Sequence, residues 1–327
     1  MARKKTFKDS ILGLGVVGVA LAWIAAEAPA QTWPAKPVRM IVTFTPGSAV
    51  DLVARTLSDH LPGQLGQPVL VENRPGASTT IGAAQVAKAD PDGHTILMTS
   101  SAHTVAPYLY TTLAYDTARD LAGVTPLVNL PTVLVVASSK GFKSVQDLVA
   151  AARAKPGSIT YASAAASTHL NAERFRRSAK FEAVHVPFKG APEALTEVLT
   201  GRVDFYFSPI APAMPMLRDG RIVALAVGSS KRSSAFPDLP TTIEAGFPDS
   251  EYNFWIGMFV PAKTPRAVIA RLHQENVKAL EVPAVRERIA KLGAETMTMA
   301  PEQFDAFVKE ELATNAVLVK AAGITAN

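Results

Sequence analysis

The chain has 327 residues, 48% of them hydrophobic and 19% charged, which suits about two α/β domains with real cores and excludes extended disorder. It contains no cysteine, so disulfides, thiolate nucleophiles and thiolate metal sites are excluded as well. Its net charge is +5, and the weak excess outside the first thirty residues is scattered, which gives no reason to invoke nucleic acid or an anionic membrane surface.

The first thirty residues differ from the rest. Arg3, Lys4, Lys5 and Lys8 form a basic start, followed by an apolar run over residues 11–26. That run is short of the roughly 20 apolar residues a spanning helix needs. It ends at Ala28-Pro29-Ala30, an A-x-A pattern, so residues 1–30 are expected to be a signal peptide cleaved before Gln31. A retained N-terminal anchor is the alternative. Without a cysteine at the cleavage site, a lipoprotein is excluded. Cleavage removes four basic and two acidic residues and leaves a charge of +3. The mature protein is expected to be soluble and exported.

From there strand-like runs alternate with helical patterns, as in α/β architecture. Residues 38–44 read as a buried strand, followed by the turn Thr45-Pro46-Gly47-Ser48. Val50, Val53, Ala54, Leu57 and Leu61 then form a helical stripe. Ser48 can cap that helix, with Asp51 three residues on completing a capping-box-like pair. Such a turn presents free backbone amides and the positive end of a helix dipole, which favour a small anion. An ordinary strand–turn–helix connection would show the same pattern. Residues 68–73 read as a second strand, and Ser78, Thr79 and Thr80 as the opening of a helix. Residues 95–99 read as a third strand, with Ser100, Ser101 and His103 where it ends. Small hydroxyl-rich loops at three strand ends point to one polar crevice, where open α/β sheets bind ligands.

A second unit begins near Leu130-Pro131. It holds strands at residues 132–137, 159–163, 183–188, 203–207 and 221–227. The loop Ala164-Ala165-Ala166-Ser167-Thr168 repeats the opening logic: strand, small residues, hydroxyl cap, helix. Residues 229–253 are turn-rich and can carry a crossing back. Residues 252–260 are a mixed aromatic strand, and three closing helices carry Pro265, Pro283 and Pro301 near their starts. The expected architecture has two α/β lobes with a cleft between them. Lobe 1 comprises residues 31–129 plus 254–327, and lobe 2 comprises residues 130–253.

Catalytic chemistry is hard to find. The six histidines show no metal-ligand spacing, and there is no G-x-S-x-G, Walker or G-x-G-x-x-G motif. No cofactor and no metal are expected. His169, after the Ser167-Thr168 loop, is the one histidine considered near a ligand, although a first-turn helix residue is more often structural. His185 reads as a hydrogen-bonded core residue. Asp204 reads as paired with Arg202 or a helix terminus. Trp255 suits either a cleft wall or plain packing.

Several stretches, in order, resemble one family. They include Trp33-Pro34-Ala35-Lys36-Pro37-Val38-Arg39, the turn at residues 44–51, and Val71-Glu72-Asn73-Arg74-Pro75-Gly76-Ala77. Further on come Tyr161-Ala162-Ser163-Ala164, His185-Val186-Pro187-Phe188-Lys189-Gly190, residues 224–227 with Lys231-Arg232, Trp255-Ile256-Gly257 with Pro261-Ala262-Lys263-Thr264-Pro265, and Ala321-Ala322-Gly323-Ile324. Together they resemble the Bug-type (tripartite tricarboxylate transporter) periplasmic solute-binding proteins. The resemblance implies a type II periplasmic-binding-protein fold and no enzymatic activity. It also implies a small carboxylate held by backbone amides, hydroxyls and water, and delivery to membrane transporter subunits. On this basis the expected ligand-binding residues are Thr45, Pro46, Gly47, Ser48, Ala49, Asp51, Ser78, Thr79, Ser101, Ala166, Ser167, Thr168, His169 and Ser208.

The departures concern the ligand. The usual F-P-P-G-G-S-T-D loop reads Phe44-Thr45-Pro46-Gly47-Ser48-Ala49-Val50-Asp51 here, and a frequent Asp-Asn pair is replaced by Ser208-Pro209. Losing that carboxylate removes a partner for a ligand ammonium. A dicarboxylate or a partly apolar or aromatic acid is therefore expected, bound by a monomer. Presentation of the loaded protein to a sensor kinase's periplasmic domain is a second reading, and a periplasmic hydrolase a remote third.

Overall fold

The computed structural model describes residues 33–324. The predicted signal peptide and its cleavage site lie outside the described residues. The strands are β1 (Val38–Val42), β2 (Val69–Asn73), β3 (Thr95–Ser100), β4 (Leu121–Asn129), β5 (Thr132–Ala137), β6 (Ile159–Ser163), β7 (Ala183–Pro187), β8 (Phe205–Pro209), β9 (Ile222–Val227), β10 (Trp255–Pro261) and β11 (Glu295–Thr296). The helices are α1 (Ala49–Ser58), α2 (Leu61–Leu65), α3 (Thr80–Ala87), α4 (Ala102–Val105), α5 (Val145–Ala154), α6 (Ala166–Ser178), α7 (Ala191–Leu199), α8 (Ile210–Arg218), α9 (Arg266–Glu281), α10 (Pro283–Lys291) and α11 (Pro301–Ala322). Among the described residues no helix is long and apolar enough to cross a membrane.

Two sheets organise these elements, in the orders β11-β4-β10-β3-β1-β2 and β7-β6-β8-β5-β9. The sheets share one plan. A parallel trio, β2-β1-β3 or β7-β6-β8, is followed by an antiparallel strand, β10 or β5. Each antiparallel strand is the first one laid down after the chain crosses between lobes. The two crossings run side by side, with the Leu130 amide donating to the Phe254 carbonyl at 2.8 Å. β5 is buried along its whole length, as a strand covered on both faces must be.

The closing helix α11 packs on β4 and also reaches α6 of the other lobe. Phe304 of α11 is fully buried and sits over Gly123 and Gly257, where an added Cβ would lie 2.7 and 2.6 Å from its ring. Trp255 is packing: it is 1% exposed, meets Phe304 edge-on at 5.6 Å, and donates from its indole N–H to Glu311 at 3.2 Å.

Several elements went unread in the sequence: the short α2, α4 and β11, and the longer β4 and α8. β4 contains Gly123 and Pro126, which break a strand pattern. Pro126 is accommodated opposite Gly257, next to a register shift. α8 carries Pro215 in its interior, a residue that argues against a helix. The helix expected from Ser78 starts at Thr80 instead. Ala77, Ser78 and Thr79 have φ of 43°, 48° and 85°, a left-handed turn that bars a regular helix.

Candidate functional site

The first loop is built from Phe44 to Ser48, at the carboxyl end of β1. Ser48 Oγ accepts the Asp51 amide at 3.3 Å, so the predicted cap forms. The reciprocal half of the box does not. The Asp51 carboxylate accepts instead from the Gly47 amide at 2.9 Å, from Asn73 Nδ2 at 2.9 Å and from Arg55 Nε at 3.0 Å. Asn73 also donates to the Phe44 carbonyl at 2.9 Å. Burial alone would raise the Asp51 pKa, but the hydrogen bonds from Arg55, Asn73 and Gly47 hold it below the usual carboxylate range. Asp51 thus fixes the shape of the loop with an oxygen pair already used. The orphan amides left at the start of α1 are those of Ala49 and Val50.

The second loop joins β6 to α6. Thr168 Oγ1 accepts the Ala164 and Ala165 amides at 3.0 and 3.2 Å and donates to the Ala165 carbonyl at 3.0 Å. That satisfies the loop and leaves the amides of Ala166, Ser167 and Thr168 as the orphans of the helix, since Ala165 has no side chain to cap them. The Ser167 hydroxyl is fully buried and has no partner among the described residues.

These two helix starts converge. Ser48, Ala49 and Val50 from one lobe and Ala164, Ala165 and Thr168 from the other surround one narrow space. Phe44, Ala164 and Ala165 line that space and also a cleft of about 900 Å³. The inner end of the cleft therefore lies between two positive helix ends, a setting for an anion. The lobes touch at its edge: a Cβ added to Gly190 of lobe 2 would lie 1.8 Å from Thr45 Oγ1 of lobe 1.

The predicted site residues separate into groups. Ser78, Thr79, Ala166 and His169 line the cleft. Ser48, Ala49 and Thr168 line the narrow space behind it. Thr45 stands at the seam between lobes with its hydroxyl unpartnered, and Pro46 and Gly47 are exposed beside it. Ser101 and Ser167 have buried hydroxyls without partners among the described residues. Ser208 is buried and donates to the Pro209 carbonyl at 2.8 Å. Asp51 is turned inward, as above.

Sequence reasoning missed the wall that β6, β7 and α6 of lobe 2 supply: Tyr161, Ser163, Glu173, Arg176 and His185 also line the cleft. A signal was present, because His169, Glu173 and Arg176 fall at helical spacing on one face of α6. His185 is hydrogen-bonded as expected, its Nε2 lying 2.6 Å from Ser163 Oγ, but it faces the cleft rather than a core. Asp204 pairs with Lys140 at 2.7 Å and accepts from Thr160, while Arg202 pairs with Glu197, so the expected Arg202 pairing is replaced.

Burial lowers the His169 pKa to about 4, helped by the adjacent His185, and burial lowers His185 too. Burial would raise the Glu173 pKa, but hydrogen bonds from Arg176 and Tyr161 hold it below the usual range. The wall therefore carries neutral imidazoles and one closed ion pair at neutral pH. Among the described residues no group of three or more histidine or carboxylate side chains converges as a metal site would require. Ser163 and His185 form a hydroxyl–imidazole pair on this wall, and among the described residues no carboxylate hydrogen-bonds to the His185 ring to orient it as a base.

Two lobes of like topology with a polar cleft at their strand ends define a periplasmic-binding-protein architecture. A family model described as the tripartite tricarboxylate transporter family receptor matches residues 53–324, and the chain belongs to that family. It is a periplasmic solute-binding receptor, not an enzyme. The chain is 34% identical over 316 residues to Protein BugT of Bordetella pertussis, covering 95% of this chain and 97% of that one. It is 37% identical over 302 residues to a protein in the tcbD-tcbE intergenic region of Pseudomonas sp., covering 90% of each. Among solved structures, an R. palustris protein with adipate superimposes with a TM-score of 0.87 at 31% identity, covering 90% of this chain and all of that one. MatC from Rhodopseudomonas palustris with bound malate gives 0.82 at 31% identity, covering 88% of this chain and all of that one.

Proposed function

We propose that this protein captures a small carboxylate, a dicarboxylate or a partly apolar or aromatic acid, and delivers it to the membrane subunits of a tripartite tricarboxylate-type transporter. The observation that carries this reading is the convergence of the α1 and α6 amino termini on the inner end of the cleft; in the two loops that lead there, the Thr45 and Ser167 hydroxyls have no partner among the described residues. A carboxylate there would find backbone amides from both lobes, and its capture would hold the lobes together. Relatives that carry adipate and malate support the carboxylate class. The lobes are read as residues 31–129 plus 254–327 and residues 130–253, after removal of a signal peptide.

Isothermal calorimetry with a panel of aliphatic and aromatic acids tests the reading, alongside native mass spectrometry of the protein as purified. Saturable binding of at least one acid is the expected result. If amines or sugars bind and no acid does, the reading fails. Ser167→Ala is expected to weaken binding by about 1–3 kcal/mol, because a buried hydroxyl facing a charged oxygen is lost. An unchanged dissociation constant would remove Ser167 from the contact.

A further inference from the structure

The wall that β6, β7 and α6 supply to the cleft has a chemistry unlike its inner end. Tyr161 and His185 are partners in register on β6 and β7, and their rings stack at 5.1 Å and 22°. His169 reaches across from α6 to lie nearly parallel to His185 at 3.9 Å and 14°. Phe205 backs Tyr161 at 5.6 Å. Tyr161, His185 and His169 all line the cleft, but Tyr161 is only 1% exposed, so the ring surface open to a ligand is that of His169 and His185.

The polar edges of this stack are mostly settled within the protein. Tyr161 Oη donates to Glu173 Oε1 at 2.6 Å, and Ser163 meets His185. The His169 imidazole has no hydrogen-bond partner among the described residues.

No buried cation is free at this end. Arg176 donates to both oxygens of Glu173 and to the Phe181 carbonyl, so its charge is matched. Lys189 lines the cleft but is exposed, and a cation in water adds little to a contact. A second ligand carboxylate reaching this wall would exchange its hydration for neutral rings and a nearby Glu173. A flat ring would meet a matching flat surface, and a cleft of about 900 Å³ has room for one.

We propose that His169 and His185, backed by the buried Tyr161, form the subsite for the other end of the ligand, and that this end is an aromatic ring, so that the ligand is an aromatic monocarboxylate. The proposal rests on the reading of the inner end as a carboxylate site. His169 is the specificity-determining residue, offering its ring face and an unused nitrogen to a ring substituent.

Calorimetry on the full mature chain tests this with benzoate, 4-hydroxybenzoate, adipate and malate as probes. The benzoates are expected to bind about tenfold or more tighter than the aliphatic diacids, one stacking contact being enough for such a ratio. His169→Ala should weaken benzoate about tenfold more than it weakens adipate; with the His169 nitrogen free for a ring hydroxyl, 4-hydroxybenzoate should bind tighter than benzoate, and His169→Phe should restore benzoate but not that difference. Adipate or malate binding tighter than the benzoates, with adipate affinity falling in Lys189→Gln, would overturn the proposal in favour of a second carboxylate. Equal losses for benzoate and adipate in His169→Ala would overturn it as well. If no acid binds a protein whose circular dichroism shows it folded, the carboxylate reading itself fails, and the two failures are thereby distinguished.

Discussion

Gly190→Val is expected to lower affinity for the captured acid by about a hundredfold, near 2.7 kcal/mol, with little change in melting temperature. Gly190 sits just before α7, with extended backbone at φ −161° that any residue can adopt. The constraint is space. A Cβ there would lie 1.8 Å from Thr45 Oγ1, 3.0 Å from its Cβ and 3.1 Å from its Cγ2. Rotating the threonine moves the hydroxyl but not the Cβ, so the lobes themselves must part. Parting separates the α1 and α6 amino termini, and each set of amides then faces water instead of sharing one carboxylate. The unliganded protein loses only a small contact at the edge of the cleft, so its core and stability are left alone. Calorimetry and small-angle scattering measure both sides: weaker binding and a larger radius of gyration with the acid present. The double variant with Thr45→Gly should recover most of the affinity. Wild-type affinity in Gly190→Val would show that closure does not bring these two residues together.

Much of the frame was legible because it is written in local patterns. The apolar run of β5 and the helical stripe at Val50, Val53, Ala54 and Leu57 each name an element without help from the rest of the chain. The two loops at helix starts could be found the same way, through the hydroxyls of Ser48 and of Ser167-Thr168, although α6 begins at Ala166 and Thr168 lies inside its first turn rather than capping it. What went unread depends on partners distant in sequence. Pro126 is tolerable in β4 only because Gly257 faces it across a shifted register. Asp51 looked like a ligand contact until Asn73, from the next strand, was seen to occupy it. The stack of Tyr161, His185 and His169 is formed by two strands and a helix, and no spacing rule joins residues 161 and 185. Thr79 was placed near the cleft, but its positive φ of 85° carries no mark in a threonine.

His103→Leu is expected to stabilise the protein by about 1–3 kcal/mol at neutral pH and by more below it. His103 is fully buried in lobe 1, against Phe259 at 5.0 Å and parallel to Tyr115 at 6.0 Å. Neither ring nitrogen has a hydrogen-bond partner among the described residues, so two polar atoms have left water without replacement. Burial lowers the His103 pKa to about 3. The unfolded chain takes up this proton near pH 6.5, whereas the folded chain refuses it down to about pH 3. Between those values the unfolded state binds more protons, so stability is full above pH 6.5 and falls as the pH drops. The slope approaches about 1.4 kcal/mol per pH unit for one such histidine. The depressed pKa values of His169 and His185 add to the loss in the same direction. Leucine is close in volume and has nothing to protonate, so it removes one histidine's share of the slope. Urea melts at pH 5, 6, 7 and 8 read this directly. The variant's advantage should grow between pH 6.5 and 5 and level off above it. An advantage that is constant with pH would mean that His103 takes up its proton in the folded state, and a loss of stability at every pH would mean that its nitrogens are satisfied there.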